Sequence, residues 1–186
     1  MENLVRIFTK QLTEAIEIGK TANLKPTNKT ILNVVITGLG GSGIGGKIVS
    51  QLVADECLVP ITINNTYDLP AFVNENTLVI GSSFSGNTEE TLYAIKEAQN
   101  KNAEIAMITS GGQFLEIAKK EGYNHIILPP GDSPRAMLTY SLTQQFFLLH
   151  HYGLCSSKFL EAIPNAIQLI DSELENIQNE AKNIAK

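Results

Sequence analysis

The hydroxyl side chains of the stretch SSFSGNTEET, at positions 82–91, are suited by type and spacing to binding an anion. The apolar run at 77–81 predicts a buried strand before it, and the run at 92–98 predicts a helix after it. This stretch, here called the hydroxyl loop, therefore leads from a strand into a helix. Because the first N–H groups of a helix lack internal partners and carry partial positive charge, hydroxyl donors placed there predict a phosphate site.

The chemistry of the hydroxyl loop is limited by what it lacks. It contains no lysine, whereas the phosphate loop of nucleoside triphosphatases requires a Gly-Lys-Ser/Thr sequence. A cradle of hydroxyls without lysine suits a phosphate monoester that is held rather than transferred. Glu89 and Glu90 fall in the first turn of the predicted helix, where acids complement the helix dipole. They would repel a phosphate dianion unless their side chains point away from it, so we assign them no catalytic role.

A glycine-rich stretch, GLGGSGIGG at 38–46, follows another predicted buried strand and is here called the glycine loop. Its glycines at 38, 40 and 43 match the dinucleotide fingerprint, which also needs an acid about 20 residues further on. The next predicted strand, 60–65, ends in asparagines, which disfavours a nicotinamide cofactor. Ser42 is better explained as a donor to a sugar hydroxyl or phosphate. The alternative is that the glycines serve only to pack a strand tightly on a helix.

A third loop, PPGDSPR at 129–135, contains prolines that fix the backbone angle φ, and it is here called the arginine loop. Ser133 is predicted as a helix N-cap and Pro134 as the first helical residue, which places Arg135 in the first turn of a long helix. An arginine near the positive end of a helix is unfavourable unless an anion lies close by. A phosphate or an enediolate would supply that anion, and a salt bridge to a surface acid is the alternative.

Predicted strands alternate with predicted helices along the chain, at 31–37, 60–65, 77–82, 103–110 and 125–128. The alternation predicts an α/β fold, a three-layer α/β/α sandwich with a five-stranded parallel sheet. Ligands of such sheets bind outside the carboxyl ends of the strands. Because all three loops follow strands, we expect them to meet at one edge of the sheet.

The helices are predicted from the spacing of apolar residues. The pattern predicts amphipathic helices at 3–20 and 44–53, and the N-terminal one is a candidate to pack on a second subunit. The helix at 136–152 is apolar on more than one face, which predicts burial on two sides and therefore a partner subunit or a second half. Residues 157–186 are expected to be helical, with an interruption at Pro164.

The composition excludes several classes of protein. At 186 residues, 43% hydrophobic and 18% charged, the chain suits one globular α/β domain. Its net charge of −5 argues against a nucleic-acid partner. We expect no membrane span, because no apolar run approaches roughly 20 residues, and no signal peptide, because the N-terminus lacks the charged-then-apolar pattern. Cys57 and Cys155 have no CxxC spacing, so reduced thiols in a cytoplasmic protein are expected, without a bound metal.

Three motifs taken in order resemble one family. They are GLGGSGIGG at 38–46, SFSGNTEET at 83–91 and SPRA at 133–136. Together they resemble the bifunctional phosphoglucose/phosphomannose isomerase family, whose members contain two sugar isomerase (SIS) subdomains with a flavodoxin-like fold. The resemblance covers residues 30–153, which correspond to the first half of a family member. It implies a SIS sugar-phosphate-binding domain at 1–153, with 154–186 as a helical extension or a linker to a second SIS domain.

The resemblance implies isomerisation of glucose 6-phosphate or mannose 6-phosphate to fructose 6-phosphate, by proton transfer through an enediol. It implies that Ser42 and the backbone around Gly41 contact the substrate. Arg135 would steady the developing negative charge, and no metal or nucleotide cofactor would be needed. The hydroxyls expected to hold the phosphate are those of Ser83, Ser85 and Thr88.

Two groups that the family uses are not matched in this sequence. The family's catalytic glutamate, and the histidine that opens the sugar ring, come from the second half. We therefore expect the base and that histidine to lie outside this chain, supplied by a second SIS domain or in a homodimer. An alternative is a SIS module that binds hexose phosphate and regulates without turnover.

Overall fold

The computed structural model of this protein describes residues 5–131 and 134–185. These residues form an α/β fold of five strands, six α-helices and one 3-10 turn. The strands are β1 (Asn33–Thr37), β2 (Ile61–Asn64), β3 (Thr77–Ser82), β4 (Glu104–Thr109) and β5 (Asn124–Ile127). The helices are α1 (Phe8–Thr21), α2 (Gly40–Leu52), α3 (Glu89–Asn100), α4 (Gly112–Glu121), α5 (Leu138–His151) and α6 (Lys158–Ile184), and the 3-10 turn is Pro134–Met137.

The five strands form one parallel sheet in the order β2-β1-β3-β4-β5. Val35 at the centre of β1 pairs with Thr62 on β2 and with Val79 on β3. Because β1, β3 and β4 lie inside the sheet, both of their faces are buried, which explains their continuous apolar sequences. The predicted five-stranded parallel sheet is confirmed.

Helices cover both faces of the sheet, and two separate apolar clusters fill the interfaces. Alternate residues of β1 divide between them: Val34 and Ile36 pack with Ala15 of α1 and Val49 of α2, whereas Val35 faces α3 and α4. Helix α5 joins the first cluster, so α1, α2 and α5 lie on one face. The three-layer α/β/α arrangement predicted from the sequence is therefore confirmed.

Helix α2 begins four residues earlier than the sequence pattern predicts, at Gly40 instead of Ile44. The glycines form its first turns because larger residues would not fit. A Cβ atom on Gly46 would lie 2.7 Å from the Ile36 side chain, and one on Gly45 would lie 3.1 Å from the amide of Gln145. Close packing thus overrides the low helix propensity of glycine.

The start of α5 also differs from the prediction. Arg135 lies in the 3-10 turn that precedes α5 rather than in the first turn of the α-helix itself. The predicted N-cap, Ser133, lies outside the described residues. Both flanks of α5 are covered within the chain, by α1 and α2, so its two-sided burial gives no evidence for a partner subunit.

The predicted interruption at Pro164 is wrong. Helix α6 runs through Pro164 without a break and packs on α1 and α5, although none of its residues is fully buried. Proline removes one backbone donor, and a helix lying on the surface can tolerate that loss because water reaches the freed carbonyl.

A hydrogen-bond network fastens the amino edge of the sheet. The side-chain oxygen of Asn124 accepts the backbone N–H of Lys25 at 2.7 Å, and its amide nitrogen donates to the hydroxyl of Tyr152 at 2.9 Å. That hydroxyl donates to Glu104, at the start of β4, at 3.0 Å. Burial is the main cause that raises the pKa of Tyr152, so the hydroxyl remains a donor. The network ties the segment before β1 and the end of α5 to the sheet.

Candidate functional site

The strand order creates a switch point at the carboxyl edge of the sheet, between β1 and β3. From β1 the chain turns through α2 to β2 on one side, and from β3 it turns through α3 to β4 on the other. The two connecting helices lie on opposite faces, so the loops that lead into them diverge and leave a crevice. Such switch points are the usual ligand sites of open parallel sheets.

The glycine loop and the hydroxyl loop meet at this switch point. Strands β1 and β3 pair up to Thr37 and Gly81, so the two loops leave the sheet at the same level. A Cβ atom on Gly38 would lie 2.7 Å from the carbonyl oxygen of Ser82, which is closer than any real side chain can approach. The N–H of Gly38 donates to Asn64 on β2 at 3.2 Å, which anchors the start of the glycine loop.

The arginine loop packs on the glycine loop from the other side. A Cβ atom on Gly41 would lie 3.3 Å from the carbonyl oxygen of Pro134 and 3.6 Å from the Cα atom of Arg135. A Cβ atom on Gly131 would lie 3.6 Å from the ring of Phe84 in the hydroxyl loop. All three loops that the sequence singled out therefore adjoin one another at the carboxyl edge.

Ser83 is the buried centre of the hydroxyl loop, with 1% of its surface exposed. Its Oγ atom lies 2.9 Å from the hydroxyl of Thr88 and accepts the N–H of Gly86 at 3.2 Å. Its own N–H donates to the carbonyl of Ile108 on the neighbouring strand at 3.0 Å. Ser83 therefore fixes both the position of Thr88 and the turn at Gly86.

Ser85 has the opposite environment. It is exposed, and its Oγ atom accepts the N–H of Asn87 at 3.3 Å, while the carbonyl of Ser85 accepts the Asn87 side-chain amide at 3.4 Å. Of the two serines, Ser85 thus presents its hydroxyl to solvent, and the buried Ser83 holds the loop in position through its hydrogen bonds.

The start of α3 supplies unpaired donors beside these hydroxyls. Within the described residues, the N–H groups of Glu89, Glu90 and Thr91 have no acceptor, and the N-cap residue Thr88 makes no side-chain cap. The hydroxyl of Thr88 is turned to Ser83 instead. Free amides at the positive end of a helix form a ready-made site for an anion.

The start of α2 adds a second set of donors. The N–H groups of Gly40 and Gly41 lack acceptors among the residues that the structure describes, whereas those of Ser42 and Gly43 donate to Leu39 at 3.1 and 3.2 Å. Ser42 is 8% exposed, and no hydrogen bond occupies its hydroxyl in the described part of the chain. Two helix N-termini therefore face the same switch point.

Arg135 supplies a positive charge next to these donors. Its side chain is exposed, and no hydrogen bond or ion pair joins it to the residues described. The alternative of a structural salt bridge therefore has no acid within the described ranges to support it. A guanidinium without a partner at this edge is available to an anionic ligand.

The loop between β4 and α4 braces the hydroxyl loop, and sequence reasoning missed it. Both the N–H and the hydroxyl of Ser110 donate to the carbonyl of Phe84, at 3.0 and 2.6 Å. Gly86 has a φ of +70°, and a Cβ atom there would lie 1.8 Å from the carbonyl oxygen of Gly111, so only glycine fits. The Ser110-Gly111-Gly112 sequence was the available signal, since small residues allow two backbones to approach closely.

The histidines of the chain lie away from this edge. His150 and His151 are at the end of α5, where their rings contact the carbonyl oxygens of Cys155 at 3.1 Å and Lys25 at 2.8 Å. Nδ1 of His125 contacts the carbonyl of Tyr123 at 2.8 Å. Each of the chain's three histidines is thus engaged by backbone remote from the switch point.

The described residues lack two features, a cluster of metal ligands and a membrane-spanning helix. Among residues 5–131 and 134–185, no group of three or more His, Cys, Asp or Glu side chains could hold a metal ion. No helix within the same ranges is both long and apolar enough to cross a membrane.

A doubly wound parallel sheet with two uncapped helix N-termini at its switch point defines an anion-binding α/β domain. Comparison with known sequences narrows this class. The chain belongs to the SIS domain family, which matches residues 32–154.

Curated relatives support the resemblance seen in the motifs. The chain is 41% identical over 184 residues to the bifunctional phosphoglucose/phosphomannose isomerase of Caldicellulosiruptor bescii, an alignment that covers 95% of this chain and 53% of that protein. It is 43% identical over 109 residues to the protein of the same name from Thermoplasma volcanium, with 59% of this chain and 34% of that protein covered. The predicted resemblance is confirmed, and the chain spans little more than half the length of the first relative.

Solved structures agree on the fold. The C-terminal domain of glucosamine-fructose-6-phosphate aminotransferase from Francisella tularensis superposes with a TM-score of 0.67 at 12% identity, over 99% of this chain and 57% of that chain. At this level of identity the similarity supports the architecture alone.

Proposed function

We propose that this chain is the phosphate-binding half of a sugar-phosphate isomerase that interconverts glucose 6-phosphate or mannose 6-phosphate with fructose 6-phosphate. The observation that carries the proposal is the convergence of the glycine, hydroxyl and arginine loops on the switch point between β1 and β3. Similarity to isomerases that bear this activity in their names supports the choice of substrate.

The phosphate would lie at the start of α3. In this proposal the hydroxyls of Ser83, Ser85 and Thr88 and the free N–H groups of the first turn donate to its oxygens. A phosphate dianion suits this position because the helix dipole is positive there and no cationic side chain is required to neutralise it. The half-buried hydrogen bond between Ser83 and Thr88 holds both hydroxyl oxygens in place before the ligand arrives, and whichever hydroxyl donates in it would turn its proton to the phosphate on binding.

The sugar would extend from the phosphate toward the start of α2. Ser42 and the N–H of Gly41 are the proposed contacts to its hydroxyl or carbonyl oxygens. Arg135 lies against Gly41 and is the proposed stabiliser of the negative charge that develops as the enediol forms. The backbone of Arg135 packs on the glycine loop, which fixes the point from which the exposed side chain reaches the ligand, and binding would order the guanidinium itself.

The proton transfer itself requires a base, and none of the described residues proposed above for the site can serve as one. Proton abstraction needs a group of tuned pKa within hydrogen-bond reach of the substrate. The three histidines point elsewhere, and we propose that a glutamate and a histidine come from a second SIS domain or from a second subunit. On this proposal 1–153 is the binding domain and 154–186 is the extension or linker that leads to the other half, in a cytoplasmic protein that needs no metal or nucleotide.

Titration calorimetry with fructose 6-phosphate tests the proposal. We expect the chain to bind fructose 6-phosphate and not fructose, since the phosphate supplies most contacts. A double variant, Ser83→Ala with Ser85→Ala, should lose this binding, whereas Ser172→Ala on the exposed face of α6 should retain it. Unchanged affinity in the double variant would refute both the site and the isomerase assignment.

The alternative function is a module that binds hexose phosphate without turnover. A coupled assay for glucose 6-phosphate formation distinguishes the two, provided that the second half is supplied as a separate polypeptide. Binding by this chain, with turnover restored on addition of the second half, supports the isomerase. Binding with no turnover in the reconstituted protein supports the regulatory module.

A further inference from the structure

Two segments on the surface, 55–57 after α2 and 155–158 at the start of α6, run antiparallel past each other. Ser156 donates its N–H and its hydroxyl to the carboxylate of Glu56, at 3.2 and 2.7 Å. The ammonium of Lys158 lies 2.8 Å from Asp55 and 3.8 Å from Glu56. Asp55 and Glu56 thus follow each other along the first segment, whereas their partners, Lys158 and Ser156, follow in the reverse order along the second.

Continuation of this antiparallel run would place Cys57 opposite Cys155, because Asp55 and Glu56 on the first segment contact Lys158 and Ser156 on the second. Both side chains are half-buried, and both pack against the apolar cluster beneath α2 and α5. Both thiols are free, and Sγ of Cys57 contacts the carbonyl of Val59 at 3.4 Å.

The raised pKa of the Cys155 thiol is consistent with a position close to Glu56 and Cys57. Burial raises the pKa of its thiol to about 11, and the negative charges of Glu56 and of a Cys57 thiolate raise it further in that direction. A Cys57 thiolate influences Cys155 only from close range, because charges at a protein surface are screened over about 10 Å. The other titratable groups around the pair are Asp55, Lys158 and the ring of His150, which contacts the Cys155 carbonyl.

We propose that Cys57 and Cys155 form a reversible disulfide that joins the loop after α2 to the segment just before α6. With oxidised glutathione as the oxidant, one thiolate attacks a glutathione sulfur, forms a mixed disulfide and releases glutathione. The second thiolate attacks the protein sulfur of that mixed disulfide and releases the second glutathione. Two protein thiols are thereby oxidised and one glutathione disulfide is reduced to two glutathione molecules.

The environment of Cys155 determines how this disulfide forms and how it is reduced. A thiol of raised pKa is seldom ionised near neutral pH, so the disulfide forms slowly there. Such a thiol is also a poor leaving group, so a reductant would attack the Cys155 sulfur and release the Cys57 thiolate. Because the bond closes a loop of about 100 residues, it should raise the midpoint of thermal unfolding by roughly 10 °C.

Peptide mapping by mass spectrometry tests the proposal. The chain is incubated with oxidised glutathione at alkaline pH, alkylated, and digested without reductant. We expect one linked pair of peptides containing Cys57 and Cys155, in monomeric protein, and its loss after dithiothreitol. Cys57→Ser and Cys155→Ser are the matched controls, and each should give only a glutathione adduct on the remaining cysteine.

Three outcomes would overturn the proposal. They are two separate glutathione adducts in the native chain, a disulfide between two molecules, or unmodified thiols under conditions that oxidise the chain in urea. The thermal midpoint provides an independent measurement. A rise on oxidation that is absent from both serine variants supports the link, and an equal midpoint in oxidised and reduced protein contradicts it.

Discussion

The side-chain oxygen of Asn87 accepts a hydrogen bond from the backbone N–H of Gln113 at 3.1 Å. Gln113 lies in the first turn of α4, whose own N-cap residue, Gly111, provides no side-chain cap. A residue of the hydroxyl loop therefore caps the next helix along the sheet. The contact couples the shape of the proposed phosphate site to the position of α4.

Replacement of Asn87 should separate the capping role from the role in binding. Asn87→Ala removes the cap and should lower the free energy of unfolding by about 1 kcal/mol, as other cap deletions do. Asn87→Asp keeps the acceptor for Gln113 but adds a negative charge beside the proposed phosphate. We expect Asn87→Asp to be as stable as the parent in urea unfolding and to bind fructose 6-phosphate more weakly. Equal affinity in Asn87→Asp would place the phosphate elsewhere.

The single serine variants of the hydroxyl loop should differ in stability. Ser83→Ala leaves the half-buried Thr88 hydroxyl and the N–H of Gly86 without this partner and should cost about 1–2 kcal/mol in urea unfolding. Ser85→Ala removes an exposed hydroxyl and should cost less than about 0.5 kcal/mol. Both should weaken binding of fructose 6-phosphate, by roughly tenfold or more for each hydrogen bond to the dianion. A Ser85→Ala variant that binds fructose 6-phosphate with the affinity of the parent protein would contradict this prediction.

Replacement by alanine should destabilise the protein at Gly43 and leave its stability unchanged at Gly111. A Cβ atom on Gly43 would lie 2.6 Å from the carbonyl oxygen of Gly38 and 2.9 Å from the side-chain oxygen of Asn65. Gly43→Ala should therefore displace the glycine loop and cost about 1–3 kcal/mol, the range found for overpacked sites. Gly111→Ala is the matched control, because nothing lies within 4 Å of its Cβ position and its backbone is extended. Thermal unfolding of the two variants measures the difference.

Arg135 should contribute to the affinity for fructose 6-phosphate and not to the free energy of unfolding. Because its side chain is exposed and has no partner among the described residues, Arg135→Met should change the free energy of unfolding by less than about 0.5 kcal/mol. Its affinity for fructose 6-phosphate should fall, and Arg135→Lys should restore part of the loss by returning the charge. Loss of stability in Arg135→Met with unchanged affinity would reverse this assignment.

The thiol of Cys155 should make stability depend on alkaline pH. Its pKa is raised to about 11, chiefly by burial, whereas in the unfolded chain a thiol titrates near about 8.5. The folded state therefore holds its proton more tightly, and this contribution to stability is complete below about pH 8.5 and is lost as the pH rises to about 11. Urea unfolding of reduced protein at pH 8 and pH 10.5 measures the decline. Cys155→Ser should decline less, and an identical decline would show that the thiol is not responsible.

Much of the architecture could be predicted because local patterns and global packing agree. The apolar runs that became β1, β3 and β4 are continuous since both faces of these strands are buried. Gly122 ends α4 in the left-handed conformation with φ of +73°, which is the usual role of a glycine just after a helix. That the glycine, hydroxyl and arginine loops meet at one edge follows from the parallel sheet alone.

The parts that could not be predicted depend on contacts between residues distant in sequence. Glycine has a low helix propensity, so nothing local to Gly40 indicates that α2 starts there rather than at Ile44. Nor does the sequence near Ser110 indicate that its hydroxyl will hold the carbonyl of Phe84, because that contact requires β3 and β4 to be neighbours. The site roles of Ser83, Ser85 and Arg135 remain predictions that the variants above test, and those of Gly41, Ser42 and Thr88 also remain predictions.

The network of Asn124, Tyr152 and Glu104 has a consequence for engineering. It lies at the end of the strands opposite the three loops, so cohesion and recognition are encoded in separate groups of residues. A library that randomises the recognition end could therefore search for new specificities while leaving these fastenings untouched. Conversely, thermostabilising changes around Tyr152 should carry over to every member of such a library.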